Sequence, residues 1–183
     1  MPTMPPTEME LLFPILHRQD LTKNHFLIKE GDVCQSVYFI IRGYLRMFYV
    51  DSEGHEINYK FIEQHYFITD FQSFLTCRPS RYFCQAMMDT ELFAISHQEI
   101  HKLYSLSPFW NDFGRLIGEG SFLQLNERVE MYLFMTPEER YQHIINTRPQ
   151  LFSQVSLSKL ATYLGITAES LSRLRKRLQK KID

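Results

Sequence analysis

LSKLATYLGITAESLSRLRKRL, from Leu157 to Leu178, reads as two short helices broken at one glycine, the second strongly basic. In the first, apolar residues fall at Leu157, Leu160, Ala161 and Leu164, the i, i+3, i+4, i+7 pattern of a helix burying one stripe. Gly165 predicts its end, because glycine accepts the left-handed conformation that closes a helix, and Thr167 is placed to cap the next helix with its hydroxyl. There Leu171, Leu174 and Leu178 make the core stripe, and a turn of about 100° per residue puts Glu169, Arg173, Lys176 and Lys180 on roughly the opposite side. Such a face suits the DNA major groove. Arg173 matches a guanine edge in bidentate fashion and Glu169 accepts from cytosine, while Ser172, Arg175, Lys176 and Arg177 suit phosphates, with Thr167 at the start of the helix. The competing reading is a surface helical hairpin that solvates its charges or docks a protein.

Charge is distributed to match. From Ser156 to Asp183 there are seven Lys/Arg against two Asp/Glu, a net of +5, in a chain whose total is −1. A near-neutral average therefore hides a basic C-terminal end on an acidic body, the footprint of a DNA-contacting module.

With 183 residues the chain is long enough for one or two small domains with a real core. The start, MPTMPPTEMELLFPIL, has no basic leader region and no long apolar run, and no later segment reaches the ~18 apolar residues of a membrane span, so a cytoplasmic protein without membrane attachment is expected. Cys34, Cys77 and Cys84 are sparse, odd in number and lack C-x-x-C spacing, which argues for reduced thiols over a disulfide framework or a zinc finger.

The body reads as strands. FLIK (Phe26 to Lys29), SVYFII (Ser36 to Ile41), YLRMFYV (Tyr44 to Val50), INYKFI (Ile57 to Ile62), YFCQAM (Tyr82 to Met87) and ELFAI (Glu91 to Ile95) are short, β-branched and aromatic. Turn signals separate them at Glu30 to Asp32, Arg42-Gly43, Asp51 to Gly54 and Asp89-Thr90, which predicts a closed or sandwiched antiparallel structure. Before the strands, Thr7-Glu-Met-Glu10 reads as a capping box for a short helix ended by Pro14. After them, Ser96-His-Gln-Glu99 opens a helix through Tyr104, and Ser107-Pro108 opens a long one. In the long helix Phe109, Phe113, Leu116 and Leu123, with Gly120 between, keep the 4-3-4-3 spacing of paired helices, which predicts a dimer interface. Gly114, Gly118 and Gly120 suggest close approach of a partner helix or a ligand. Thr136-Pro-Glu-Glu139 caps a further helix, through Thr147, that leads into the basic pair.

This order resembles the cyclic-AMP-receptor and fumarate-nitrate-regulator (CRP/FNR) superfamily of bacterial transcription factors, and most closely its short, Bacteroidetes-type regulators. The carriers are KEGDVCQSVYFIIRGYLRMFYVDSEGHE (Lys29 to Glu56), FITDFQSFLTCRPSRYFCQA (Phe67 to Ala86), TPEERYQHII and LATYLGITAESLSRLRKRL. The resemblance implies an α+β chain: a sensor domain over 1–106 with an antiparallel β-roll (a double-stranded β-helix, jelly-roll-like) and flanking helices, a dimerisation helix over 107–135 and a helix-turn-helix over 136–183. It further implies a homodimer on double-stranded DNA that reads a pseudo-palindromic operator with half-sites roughly 34 Å apart, with RNA polymerase as a candidate partner.

Cyclic-nucleotide binders of that superfamily hold the ribose and cyclic phosphate with a Gly-Glu-Leu … Arg-Ser/Thr-Ala cassette. Here Thr69-Asp70-Phe71 stands for the first part and Ser80-Arg81-Tyr82 for the second, so the arginine is displaced by one place and a bulky tyrosine stands where a small residue belongs. In a strand, a shift of one reverses the side. Positions that contact the base fall near Phe113 and Gly114. Asp70, Arg78, Arg81 and Tyr82 are therefore the candidate effector residues, suited to a small anion other than cyclic AMP, and no cofactor is assigned. Iron–sulfur members need four cysteines, one more than this chain has. His97 and His101 share a helix face at i, i+4, but Glu99 is not placed as in H-E-x-x-H, and no metal site is expected. Cys77 and Cys84 flank the cassette and offer thiol redox sensing as a further possibility. No P-loop, G-x-S-x-G or Rossmann fingerprint appears, so no enzyme and no catalytic residue is expected. The alternative function is a nucleotide- or anion-binding regulatory module that acts through a protein partner and keeps its helical tail for structure.

Overall fold

The computed structural model describes residues 4–179, and two four-stranded antiparallel sheets account for its first half. One has the order β1-β8-β3-β6 and the other β2-β7-β4-β5. The strands are β1 (His17–Leu21), β2 (Phe26–Ile28), β3 (Ser36–Arg42), β4 (Tyr44–Val50), β5 (Glu56–Glu63), β6 (Phe67–Ile68), β7 (Phe83–Ala86) and β8 (Thr90–Ser96). Period-two burial is clearest in β8, where Thr90, Leu92 and Ala94 face inward, and in β7, where Cys84 and Ala86 do. β4 is different: Tyr44 to Phe48 are all buried. Its one charge, Arg46, donates from Nε (2.9 Å) and Nη2 (2.6 Å) to Gln85 Oε1, so the buried guanidinium is hydrogen-bonded.

Among the described residues eight α-helices accompany the sheets: α1 (Pro6–Leu12), α2 (Phe71–Thr76), α3 (His97–Leu106), α4 (Pro108–Phe134), α5 (Pro137–Thr147), α6 (Leu151–Gln154), α7 (Leu157–Leu164) and α8 (Ala168–Gln179). Two expected capping boxes are present, Ser96 with Glu99 and Thr136 with Glu139, each with both reciprocal bonds. The third is not. α1 begins at Pro6 with Pro5 as its N-cap and no side-chain cap, which puts Thr7 inside the first turn. Proline tolerates that start because its missing N–H would be unpaired there anyway. The helix ends at Leu12 and continues as a 3-10 turn, Phe13–Ile15, around Pro14.

Four elements carried no clear sequence signal. β1, HRQDL, is an edge strand whose first four side chains are exposed, so it lacks apolar alternation; its register on β8, from His17↔Ala94 to Leu21↔Thr90, makes it a strand. β6 is two residues long, α6 four, and α2 six.

By packing the residues form two compact units: those up to Met47 with Phe61–Gly120, and Phe48–Lys60 with those from Ser121 onward. In the first, Gly114 has an internal reason. A Cβ there would lie 2.3 Å from the Tyr104 hydroxyl, so α3 is what comes close, whereas a Cβ at Gly118 or Gly120 would meet nothing. In the second unit α5, α6 and α7 bury Tyr141, Ile144, Leu151, Leu160, Ala161 and Leu164.

The Glu99 cap gives a pH prediction. Hydrogen bonds from the Ser96 side chain first, then from His17, hold its carboxyl down at about 2. A depressed carboxylate contributes stability that is present above its unfolded value of 4.5 and is lost as pH falls toward 2. Melting curves of wild type and Glu99→Gln are expected to differ at pH 7 and to converge as pH falls from about 4.5 toward 2. A gap that stays constant to pH 2 contradicts the cap.

Candidate nucleic-acid interface and effector site

α7 and α8 form the helix, tight turn, helix expected from Leu157 to Leu178. Ser156 accepts from the Lys159 N–H as N-cap, and Leu160, Ala161, Tyr163 and Leu164 are buried. Gly165, at φ +70°, sends its N–H to the carbonyls of Ala161 and Thr162, and the Ile166 N–H also reaches the Ala161 carbonyl. A side chain at 165 meets two obstacles, the left-handed backbone and the Tyr132 ring, whose Cε1 would lie 2.7 Å from the new Cβ. Gly165→Ala is expected to lower stability by about 2 kcal/mol or more, roughly 4–8 °C in a chain of this size. Unchanged melting would mean that Tyr132 yields freely.

Thr167 caps α8: its Oγ1 accepts from the Ser170 N–H at 3.1 Å. Leu171 and Leu174 are buried and Leu178 half-buried, as the stripe required. Glu169, Arg173, Arg175, Lys176 and Arg177 are exposed, Ser172 is half-buried, and Lys180 lies outside the described residues. Two ion pairs occupy part of this face, the exposed Arg173 with Glu169 at 3.6 Å and the exposed Arg177 with the half-buried Glu138 of α5. The exposed pair of Arg173 with Glu169 is worth little, so base contacts can replace it.

The candidate effector residues differ in burial and role, and Ser73 links two of them, its N–H donating to Asp70 and its Oγ to the Arg78 carbonyl at 2.6 Å. Asp70 is buried and caps α2, accepting from the Ser73 N–H at 3.3 Å. Arg78 and Arg81 are exposed, and neither guanidinium has an ion pair among the described residues. Arg81 sits in a bend and Tyr82 just before β7, which begins at Phe83, so strand alternation does not set the direction of Arg81. Ser80 organises the segment: it is buried, its N–H reaches the Asp32 carbonyl, its carbonyl accepts from Gly31, and its Oγ accepts from the Tyr82 N–H and donates to the Tyr82 carbonyl. Phe113 is taken up by stacking on Phe109 at 6.1 Å between ring centres, and by edge contacts with Phe67 at 5.9 Å and Trp110 at 5.7 Å.

The thiols divide. Cys34 and Cys84 are buried and Cys77 is exposed at the end of α2, all three free. Burial, then the nearby Cys34, pushes the Tyr38 phenol up to about 12 and keeps it neutral. His97 and His101 turn their Nε2 atoms to 3.2 Å from each other, but among the described residues no group of three or more His, Cys, Asp or Glu is arranged to hold a metal. Among them, too, no helix is long and apolar enough to cross a membrane.

The expected seam of α4 is divided, with Leu116 and Leu123 of its second half 37 and 65% exposed. Phe109 and Phe113, the first half of the expected seam, pack within the first unit. Further along, Phe122, Leu125, Val129 and Leu133 share a face at i, i+3, i+7, i+11 and are 65, 45, 44 and 69% exposed, together with Leu123 at 65% on a neighbouring face.

Residues 18–107 match the family model of the cyclic nucleotide-binding domain. No curated protein matches the sequence. Among solved structures the chain is similar to FixK2 from Bradyrhizobium japonicum, with 16% identity, 91% of this chain and 86% of that chain covered, and a TM-score of 0.77. It is also similar to CLP from Xanthomonas campestris, described as a c-di-GMP responsive global regulator, with 20% identity, 96 and 92% coverage and a TM-score of 0.76. A third is a transcriptional regulator of the CRP/FNR family from Eubacterium rectale, with 16% identity, 97 and 85% coverage and a TM-score of 0.75. At these identities the likeness is one of fold.

Proposed function

Because residues 18–107 match the cyclic nucleotide-binding domain model and the fold is that of CRP/FNR transcription regulators, we propose that this chain is a cytoplasmic, sequence-specific DNA-binding regulator that works as a homodimer. The observation that carries this is the capped α7–α8 pair, with Glu169, Arg173 and Lys176 exposed opposite a leucine stripe and Arg175 and Arg177 exposed on its flanks. In chain order the work divides into a sensor at 1–106, a dimerisation helix at 107–135 and a DNA-binding segment at 136–183. Arg173 and Glu169 read bases. Arg175, Lys176, Arg177 and Ser172 hold phosphates, and Thr167 fixes the start of the reading helix, whose N-terminal dipole favours a phosphate.

Dimerisation uses the uncovered face of α4, Phe122, Leu125, Val129 and Leu133, whose exposure in a lone chain argues for a second copy in solution. The effector is a small anion. Arg78 and Arg81 supply two exposed guanidiniums close in sequence to the buried cap of α2, while Tyr82 fills the place of a small residue and disfavours cyclic AMP. Effector binding then biases a two-state arrangement of the reading helices.

Binding to genomic DNA fragments at a series of salt concentrations tests the DNA reading: affinity should fall steeply with salt, and absence of any salt-dependent binding would reject it. Thermal shifts against cyclic AMP, cyclic GMP, phosphate and small carboxylates test the effector, because a ligand of the folded state must stabilise it. Stabilisation by an anion that disappears in Arg78→Ala and Arg81→Ala is expected, and a shift of several degrees with cyclic AMP would overturn the part given to Tyr82.

A further inference from the structure

At the C-terminal end of α7 the Tyr163 carbonyl is not taken by the glycine turn. The carbonyls of Ala161 and Thr162 accept from Gly165, whereas the Tyr163 carbonyl accepts from Arg128 Nη2 at 2.8 Å and from the Tyr132 hydroxyl at 2.7 Å, both on α4. The Arg128 guanidinium lies over the Tyr163 ring at 3.9 Å and the Tyr132 ring at 4.7 Å, so a cation–π contact with each ring joins a cation placed at the negative end of a helix. The same Nη2 reaches the Asn58 carbonyl at 3.4 Å. Asn58, on β5 of the β4–β5 hairpin, is 1% exposed and grips α7 directly, its Nδ2 donating to Thr162 Oγ1 at 2.8 Å and to the Lys159 carbonyl at 3.3 Å. Three elements far apart in sequence thus meet at one guanidinium.

We infer that Arg128 is the positioning residue of the DNA reader: with Asn58 it fixes the direction of α7, and hence of α8, against the long helix and the hairpin. The inference rests on the DNA-reading function proposed above and adds the element that regulates it. In a dimer joined through α4, the angle between α4 and α7 sets the separation of the two reading helices, so the latch is what makes half-site spacing a readable quantity. It also supplies a lever. Arg128 Nη2 holds the hairpin carbonyl of Asn58 and the last turn of α7 at once, and Nη1 is buried without an acceptor among the described residues, so the hairpin position and the hold on α7 are coupled through one guanidinium. Arginine is required because its planar fork stacks on aromatic faces while donating in plane, which an ammonium does not do.

The test uses the full chain and a DNA site that wild type selects from a random library, then measures affinity for that site with its central spacer one base pair longer and one shorter, each rotating the half-sites by about 35°. Wild type is expected to prefer its own spacing by about tenfold or more, because the alternatives require twisting the DNA. Arg128→Ala and Arg128→Lys are expected to cut that preference to about threefold or less while light scattering still shows a dimer and low-salt, non-specific binding persists. Asn58→Ala and Thr162→Val, which cut only the hairpin tie, are expected to move the preference in the same direction and keep the test open if the Arg128 variants fold poorly. Loss of overall affinity with the spacing preference intact would show a merely structural role and overturn the inference. A wild type that selects no site would instead reject the DNA reading itself.

Discussion

Replacing Arg173 and Glu169 together by alanine is expected to abolish sequence selectivity while leaving a folded dimer that still binds DNA at low salt. Both side chains project from α8 opposite the buried Leu171 and Leu174, and both are exposed, with side-chain exposures of 70 and 78%. Nothing in the core depends on them, so stability should change little. Each good base contact is worth ~1–3 kcal/mol of discrimination, and a symmetric dimer uses each of the two residues twice, so affinity for a selected site should fall by about 10³-fold or more, down to the level of non-specific binding. Non-specific affinity should move far less, because it depends on phosphates. Lys176→Ala is the contrast: it should weaken binding to all sequences alike and reduce the salt slope by about 1 for each phosphate no longer neutralised. Competition titrations with selected and random duplexes measure both. Selectivity that survives the double substitution would mean that α8 does not read bases.

Charging the exposed face of α4 is expected to have an effect of similar size on association. In a two-fold interface Phe122→Glu with Val129→Glu places carboxylates from both copies into one apolar seam, where unpaired charge is costly. Sedimentation or light scattering should show wild type as a dimer and the variant as a monomer with an unchanged helical signal. Monomers no longer bind two half-sites as one ligand, and the reduced effective concentration should lower operator affinity by about 10²- to 10⁴-fold. A dimer that persists would move the interface elsewhere, for which the face containing Leu116 and Leu123 is the next candidate.

The parts of the chain that were legible share one property: their local chemistry and their packing agree. Gly165 had to be left-handed, Thr167 had to cap, and Ser96 and Thr136 each had a glutamate three residues on, so α3, α5, α7 and α8 could be placed from the residues alone. The six strands read as β-branched and aromatic runs are all strands, to within a few residues at their ends. β1 stayed hidden because an exposed edge strand has no apolar face to alternate, and its sheet position is decided by hydrogen bonds to β8. Thr7 misled because serine- and threonine-led boxes compete with proline starts, and Pro5-Pro6 prevailed.

At the candidate sites the sequence was legible where one helix carries the chemistry and illegible where several elements meet. The basic face of α8 needs only helical periodicity. The latch at Arg128 needs residues 58, 128, 132, 162 and 163 in contact, a coincidence of the fold that no spacing announces. The effector segment lies between these cases. Asp70 was singled out as an effector residue, and it is also the N-cap of α2, a second use of the carboxylate that the sequence did not reveal.

The central claim, a dimer that reads two related half-sites with α8, is tested most directly by selecting binding sites for the full chain from random double-stranded DNA and sequencing the products. The account expects a two-fold symmetric motif with half-site centres about one helical turn, roughly 34 Å, apart. Enrichment of no motif, or of a single unrepeated half-site, would contradict it.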